Sequence, residues 1–267
     1  MILAVASPLT LGLALATSTA YTACVTRPAQ TRPALRLRLL WLAWGLHALL
    51  LGWSLLAEAP RFGFAPALSI TAWLIGLVYA LESHFYPQLR LPRALAALAA
   101  ATVLMALLFP GAPLHAAASS WLPLHWALGL ASYGLFGTAV IHAALMTRAE
   151  TQMRRATNDP IGLPLLTLER LTFRFVNLGF ILLSATLLAG LLFGSLLYGP
   201  GHALRLDHKT AFSVLAWATF AGLLLARARL GWRGRRAVRV LYLGCGLLLL
   251  AYVGSRFVME VILGRSL

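Results

Sequence analysis

The sequence predicts an all-α, polytopic membrane helix bundle with about eight transmembrane helices. Of its 267 residues, 60% are hydrophobic and only 11% are charged, and the mean hydropathy is +0.82. One water-soluble core cannot bury that much apolar surface. Several apolar runs reach the roughly 20 residues that a helix needs to cross a bilayer. Short alternating strands typical of a barrel are not found, so helices are expected to satisfy the backbone hydrogen bonds.

Eight apolar runs give the predicted spans in chain order. They cover residues 2–25, 39–57, 67–86, 94–110, 121–147, 175–198, 209–226 and 237–263. The first run has no basic start and stays apolar to Val25, which favours an uncleaved span over a signal peptide. The longest connection, residues 148–174, is expected to be a solvated surface. No connection is large enough to fold alone, so residues 1–267 are predicted to form a single integral membrane domain.

The basic residues predict the orientation of the bundle. Seventeen of the 22 basic residues follow the odd-numbered spans, and the positive-inside rule therefore places both termini on the outer, periplasmic side. They are Arg27, Arg32, Arg36, Arg38, Arg90, Arg93, Arg148, Arg154, Arg155, Arg170, Arg174, Arg227, Arg229, Arg233, Arg235, Arg236 and Arg239. This distribution also explains the net charge of +15 without nucleic-acid binding, because the arginines flank membrane spans.

Most soluble-type chemistry is not supported by the sequence. Cys24 and Cys245 have no CxxC spacing and are interpreted as small apolar residues. A GxSxG elbow, a phosphate loop and an HExxH helix are all missing from the sequence.

Histidines are the remaining candidates for a functional site. Neutral imidazole is a good axial ligand for haem iron, and a haem also needs an apolar cleft and cations for its propionates. In the predicted topology His115, His125, His202 and His208 lie on or near the outer face. Trp121, Trp126 and Trp217 are candidates to line a cleft there, and Arg205 and Lys209 are candidates to meet the propionates.

Two histidines lie inside spans, where an ionisable side chain is costly and usually functional. His125 shares one helical face with Trp121, Gly129 and Ser132, and His47 lies closest to the bilayer centre. Both are predicted as iron ligands, with a hydrogen-bonded packing role as the alternative. His84 and His142, near the predicted inner ends of spans 3 and 5, are expected to anchor at the interface.

Four stretches of sequence carry a family resemblance. Residues 122–136 read LPLHWALGLASYGLF, residues 207–217 read DHKTAFSVLAW, residues 231–258 form the arginine-rich start and body of the last span, and His47 follows Gly45 and Leu46. The chain resembles the cytochrome c assembly family, whose members include CcsA and CcmC, and within it the YpjD/HemX-like branch. The resemblance implies an outer haem-ligand role for His125. It also matches Asp207, Lys209 and Trp217 to the end of the family's tryptophan-rich outer motif.

The chain departs from the family pattern at that motif. Pro200, Leu204 and Leu206 stand where the motif has tryptophans, and Thr210 stands where it has a glutamate. No histidine follows Arg256, where large family members have a second outer ligand. Three alternatives stay open: His202, His208 or His115 supplies the second ligand, His125 binds iron alone, or haem is not bound.

The resemblance implies a haem-binding inner membrane protein that assists cytochrome c biogenesis by transporting or presenting haem, of the b type, at the outer face. Its expected partners are the lipid bilayer, haem and other cytochrome c maturation proteins. This hypothesis favours a carrier or assembly factor over an enzyme. The alternative is a non-catalytic, HemX-like effector of haem biosynthesis that binds a partner protein. An ion or proton carrier built on His47 and Glu82 is a weaker hypothesis, because the sequence offers no paired carboxylates along a path.

Overall fold

The computed structural model describes residues 7–26, 33–57, 60–86, 93–113, 119–155, 163–194, 196 and 208–264. The described part contains eight long helices and one pair of two-residue strands. In chain order these are α1 (Pro8–Thr26), α2 (Pro33–Leu56), β1 (Arg61–Phe62), α3 (Phe64–Phe85), α4 (Arg93–Leu108), β2 (Ala112–Pro113), α5 (Leu122–Arg154), α6 (Leu165–Leu192), α7 (His208–Leu230) and α8 (Gly234–Ile262).

The last helix changes its winding near its end. It is α-helical over Gly234–Leu249, π-helical over Leu250–Gly254, α-helical over Ser255–Phe257 and π-helical again over Val258–Ile262. A π-turn accommodates one extra residue and is a feature of functional positions in helices.

Seven of the described helices are long and apolar enough to cross a membrane, and α4 is shorter, with 16 residues. The predicted all-α, multi-pass fold is therefore confirmed. Each of the eight predicted spans overlaps one helix. The prediction that both termini lie outside stays a prediction.

Helices α5 and α6 continue beyond the predicted spans 5 and 6. Within residues 148–174, expected to be solvated surface, α5 continues to Arg154 and α6 already begins at Leu165. Positive charges indicate where the bilayer ends, whereas arginine and glutamate are good helix formers and allow the helices to continue beyond it. Glu150 and Glu169 in these extensions are largely buried and paired with arginines.

The chain divides into two compact units. The first contains residues 1–115 and 256–267, and the second contains residues 116–255, so the division falls within α8. Each unit contains a ring of four helices that pack on their neighbours. In the first unit the neighbours are α1–α2, α2–α3, α3–α4 and α4–α1, and in the second they are α5–α6, α6–α7, α7–α8 and α8–α5. The assignment of one membrane domain stays a prediction.

The two short strands fasten one end of the first unit. Arg61 pairs with Pro113 and Phe62 with Ala112 in an antiparallel register. Gly111 adopts a φ of 82°, which favours glycine, and its backbone lies against that of Gly63. The Glu260 carboxyl group lies where α3 begins, since its Oε2 atom would be 2.6 Å from a Cβ at Gly63. A carboxylate is well placed at the positive end of that helix.

Small residues set the packing of the second unit. Three contacts between α5 and α6 join His125 to Gly190, Gly129 to Thr186, and Phe136 to Gly179. Moving four and then seven residues forward along α5 moves the contact by the same numbers backward along α6. The two helices therefore run antiparallel in a constant register.

Two phenylalanines fill the centre of the second unit. The rings of Phe136 on α5 and Phe220 on α7 stack 3.9 Å apart, with 10° between their planes. Phe136 lies against Gly179 of α6, and Phe220 lies against Gly244 of α8. One stacked pair thus contacts all four helices of the unit.

Candidate functional site

The second unit has two chemically different ends because its four helices alternate in direction. At one end, which we call the arginine end, Glu169 binds Arg227 at 2.7 Å and approaches Arg233 at 3.7 Å. Glu150 approaches Arg235 at 3.9 Å. These ion pairs join α6 to α7 and to the α7–α8 turn, and α5 to α8.

The opposite end, which we call the histidine end, gathers residues from all four helices. His125 lies one turn into α5, and its Cε1 atom would be 3.6 Å from a Cβ at Gly190, near the end of α6. Lys209, at the start of α7, interacts electrostatically with the His125 imidazole. The Lys209 Nζ atom also lies 5.5 Å from the centre of the Tyr252 ring of α8. The structure therefore brings together two residues that the sequence had singled out, His125 and Lys209.

The local sequence explains why His125 lies at this rim. Pro123 is at the start of α5, where a proline costs no helical hydrogen bond, and His125 follows in the first turn. The residue facing it is a glycine, which leaves one side of the imidazole close to the α6 backbone. His125 is half-buried in the first turn of the helix.

The other predicted residues of this region are placed differently. Trp121 precedes α5 and is 62% exposed, and His208 is exposed as the first residue of α7. Trp217 lies about two turns deeper, where its Nε1 atom donates to Ser184 Oγ at 2.8 Å and its ring stacks on Phe180. Trp217 thus supports α6–α7 packing. His115, His202, Arg205 and Asp207 lie outside the described residues.

His47 belongs to the first unit and is completely buried. Its Nδ1 atom is 3.2 Å from the Tyr21 hydroxyl of α1, and its Nε2 atom is 2.8 Å from Ser69 Oγ of α3. Both ring nitrogens therefore have a hydrogen-bonding partner. An iron atom at either nitrogen would have to displace one of them.

The two histidines expected at the interface differ from each other. His84 is exposed at the end of α3, as expected for an interfacial residue. His142 is buried instead: its Nδ1 atom is 3.0 Å from the Thr138 carbonyl oxygen, and its ring stacks on Phe175 of α6. The interfacial expectation for His142 is therefore wrong, because α5 extends three turns beyond it.

The described residues that could donate to a metal do not form a cluster. Among the described residues, three or more His, Cys, Asp or Glu side chains do not gather at one place. A compact multi-ligand metal centre does not fit this part of the chain. Haem needs only one or two axial nitrogen donors, and a rim imidazole beside a lysine fits that requirement.

Sequence reasoning missed four residues that contact the predicted site residues. Gly190 lies beside His125, Tyr252 lies beside Lys209, and Tyr21 and Ser69 lie beside His47. Each comes from a helix distant in sequence from the histidine or lysine that it contacts. No spacing within one helix indicates such a contact. The antiparallel register of α5 and α6 would have placed Gly190 opposite His125. That register depends on where the two helices end, which the charge pattern does not locate.

The fold and this rim define a multi-pass helical membrane protein with an imidazole and a cation at one end of a four-helix unit. The model of the family described as cytochrome C assembly protein matches residues 33–263. The chain therefore belongs to the cytochrome c assembly family, which confirms the resemblance found in the sequence.

The chain is also similar to two curated bacterial proteins. The chain is 35% identical over 147 residues to an Azospirillum brasilense protein described as an uncharacterized 28.8 kDa protein in the nifR3-like 5' region, covering 54% of each chain. It is 31% identical over 151 residues to the inner membrane protein YpjD of Escherichia coli K12, covering 55% of this chain and 56% of YpjD. The matches span about half the length of these relatives. No solved structure matches the chain. The family and the membrane-capable helices indicate a multi-pass protein of the bacterial inner membrane.

Proposed function

We propose that this protein binds b-type haem at the histidine end of the second unit and assists cytochrome c assembly by carrying or presenting it. The observation that carries the proposal is the placement of His125 beside Lys209 at the rim of a membrane bundle of this family. When bound, haem would supply an iron atom that accepts an imidazole nitrogen and propionates that carry negative charge.

The residues of the histidine end would have separate tasks. His125 would ligate the iron, because its ring is half-buried near the end of its helix. Lys209 would attract a propionate, and Tyr252 would hold the lysine through the contact of its ammonium with the ring. Trp121 would cover the macrocycle, since it is a large and exposed aromatic side chain beside His125. His208 stays a candidate for the second ligand, as do His115 and His202.

His47 has a different proposed role in this scheme. It was predicted as a ligand, but its two hydrogen bonds favour a structural role inside the first unit. The proposal therefore requires His125 and does not require His47.

The visible absorption spectrum of the detergent-purified protein, oxidised and reduced, tests the proposal. We expect a Soret band that is mostly lost in His125→Ala and kept in His47→Ala. His84→Ala is the matched control, because His84 is an exposed histidine at a helix end of the first unit.

The outcomes separate the alternatives. A Soret band that disappears only in His47→Ala would place the ligand in the first unit and refute the assignment to His125. A protein that binds no haem, even after haem is added, would refute the carrier. It would then favour the HemX-like effector, which should be sought by co-purification of a partner enzyme.

A further inference from the structure

One face of α6 carries two exposed arginines followed by exposed apolar residues. Arg170 and Arg174 are separated by four residues and both are exposed. Leu178 follows four residues later and Ile181 three residues after that, with 50% and 60% of their surfaces exposed. Residues at this spacing lie above one another on a helix. The face is therefore a pair of guanidinium groups above an apolar stripe.

The length of α6 places these arginines at the level of the lipid headgroups. The helix has 28 residues, which corresponds to about 42 Å, against a hydrocarbon core of about 30 Å. About eight residues must therefore extend beyond the hydrocarbon. The opposite end of α6 is apolar to Leu192, so the extension covers about the first eight residues from Leu165. Arg170 lies within this extension, and Arg174 lies about half a turn below it, from where a long arginine side chain reaches the headgroups.

The described carboxylates near this end bind other arginines. Glu169 is occupied by Arg227 and Arg233, and Glu150 approaches Arg235. Glu169 also lies on a different side of α6 from Arg170, because it is largely buried and Arg170 is exposed. In the part of the chain that the structure describes, Arg170 and Arg174 have no carboxylate within ion-pairing distance.

We propose that Arg170 and Arg174 bind the phosphodiester headgroup of an anionic phospholipid whose acyl chains lie along Leu178 and Ile181. Guanidinium groups bind phosphate oxygens in pairs, and two of them one turn apart can hold one headgroup. The apolar stripe directly below them decides between a lipid and an acidic protein segment. A segment in water would pair with the arginines but would leave Leu178 and Ile181 uncovered.

Native mass spectrometry of the detergent-purified protein tests this site with two probes that share acyl chains, phosphatidylglycerol and phosphatidylcholine. We expect the phosphatidylglycerol adduct to be retained preferentially. In Arg170→Gln/Arg174→Gln its apparent affinity should fall by about tenfold or more, since each basic residue near a headgroup adds to the attraction. Arg170→Lys/Arg174→Lys keeps the charge and should retain part of the binding, which separates a binding defect from misfolding.

A matched control is available at the end of α5. Arg154 and Arg155 are also exposed at the arginine end, but the residues one turn nearer the bilayer, Glu150 and Thr151, are polar, so Arg154→Gln/Arg155→Gln changes the charge equally without an apolar stripe below it. We expect this variant to keep the adduct. An equal loss in both double variants would overturn the proposal in favour of diffuse attraction. Equal retention of the two lipids would also overturn it. Displacement of the lipid by soluble polyglutamate at the same concentration would instead indicate an acidic protein partner.

Discussion

At the scale of single residues, His47 is a polar group held by hydrogen bonds inside the first unit. Its ring is completely buried and joins three helices, because Tyr21 lies on α1, His47 on α2 and Ser69 on α3. The Tyr21 ring also meets the imidazole edge to face, with centroids 5.7 Å apart. A buried polar group without a partner is costly, so each of these bonds is expected to stabilise the unit.

Replacement of Tyr21 by phenylalanine should therefore destabilise the protein without affecting haem. The variant keeps the ring and leaves His47 Nδ1 without its hydroxyl partner, which should lower the free energy of unfolding by about 1–3 kcal/mol. Denaturant unfolding in detergent measures the loss, and the Soret absorbance of the same sample measures haem content. Tyr242→Phe is the control, because Tyr242 is 40% exposed. Equal stability of the two variants would contradict a stabilising role of the Tyr21–His47 bond.

The sequence predicted the chemistry of these residues better than their surroundings. His125 and Lys209 were singled out separately, and the structure places them together at one rim. His47 was recognised as a costly residue inside a span, but its partners could not be predicted. Tyr21 and Ser69 are 26 and 22 residues away in sequence, and contacts between helices depend on rotations that hydropathy does not determine.

At the scale of helices, the second unit depends on close approach at two glycines. A Cβ at Gly244 of α8 would lie 2.6 Å from Phe220 Cε1, and a Cβ at Gly179 of α6 would lie 3.2 Å from the Phe136 ring. The two rings are themselves stacked, so neither can move away without disturbing the other. The tighter of the two positions, Gly244, is therefore expected to be the more sensitive.

Gly244→Ala should lower the free energy of unfolding by about 1–3 kcal/mol, the usual cost of overpacking a core. Thermal unfolding of the purified protein in detergent measures this change. Gly246→Ala is a close control, because a Cβ at Gly246 would meet nothing within 4 Å. In an open helical position alanine is favoured over glycine, so the control should be unchanged or stabilised by up to about 1 kcal/mol. Equal destabilisation in both variants would show that helix backbone effects, and not the Phe220 contact, are responsible.

Helices were predicted well in number and poorly in length. The apolar pattern indicates each span because the bilayer requires about 20 apolar residues. The apolar pattern does not indicate that α5 and α6 extend beyond the bilayer, since residues there are polar whether they form a helix or a loop. The ion pairs of Glu150 and Glu169 explain the extensions, and these pairs join residues that are 58 or more positions apart in sequence.

At the scale of the whole molecule, the number of crossings determines where the termini lie. Helix α4 has 16 residues, about 24 Å, which is short for a span. The strand pair nevertheless requires it to cross, because Arg61 before α3 pairs with Pro113 after α4. If α3 crosses the bilayer, α4 must return to the same side. With α4 counted, the number of crossings is even, as the predicted placement of both termini on one side requires.

Labelling of single cysteines tests the orientation. In a chain in which Cys24 and Cys245 are replaced, we expect Ser119→Cys to react with an impermeant maleimide added outside intact spheroplasts. Arg229→Cys, at the arginine end, should react only after permeabilisation, because positive charge is retained in the cytoplasm. The reverse pattern would contradict the predicted orientation. It would also place the histidine end on the cytoplasmic side, where it could not present haem to the outer face.

The π-turns of α8 change the directions in which its side chains point, and the sequence alone does not indicate this change. Each π-turn inserts one residue, and one residue of an α-helix corresponds to a rotation of about 100°. The second turn, Val258–Ile262, contains Glu260, so a regular helix over the same residues would turn the Glu260 carboxyl group away from Gly63 at the start of α3. A chimaera that replaces the end of α8 with a regular helix from a relative must therefore keep the directions of the side chains as well as the length of the helix.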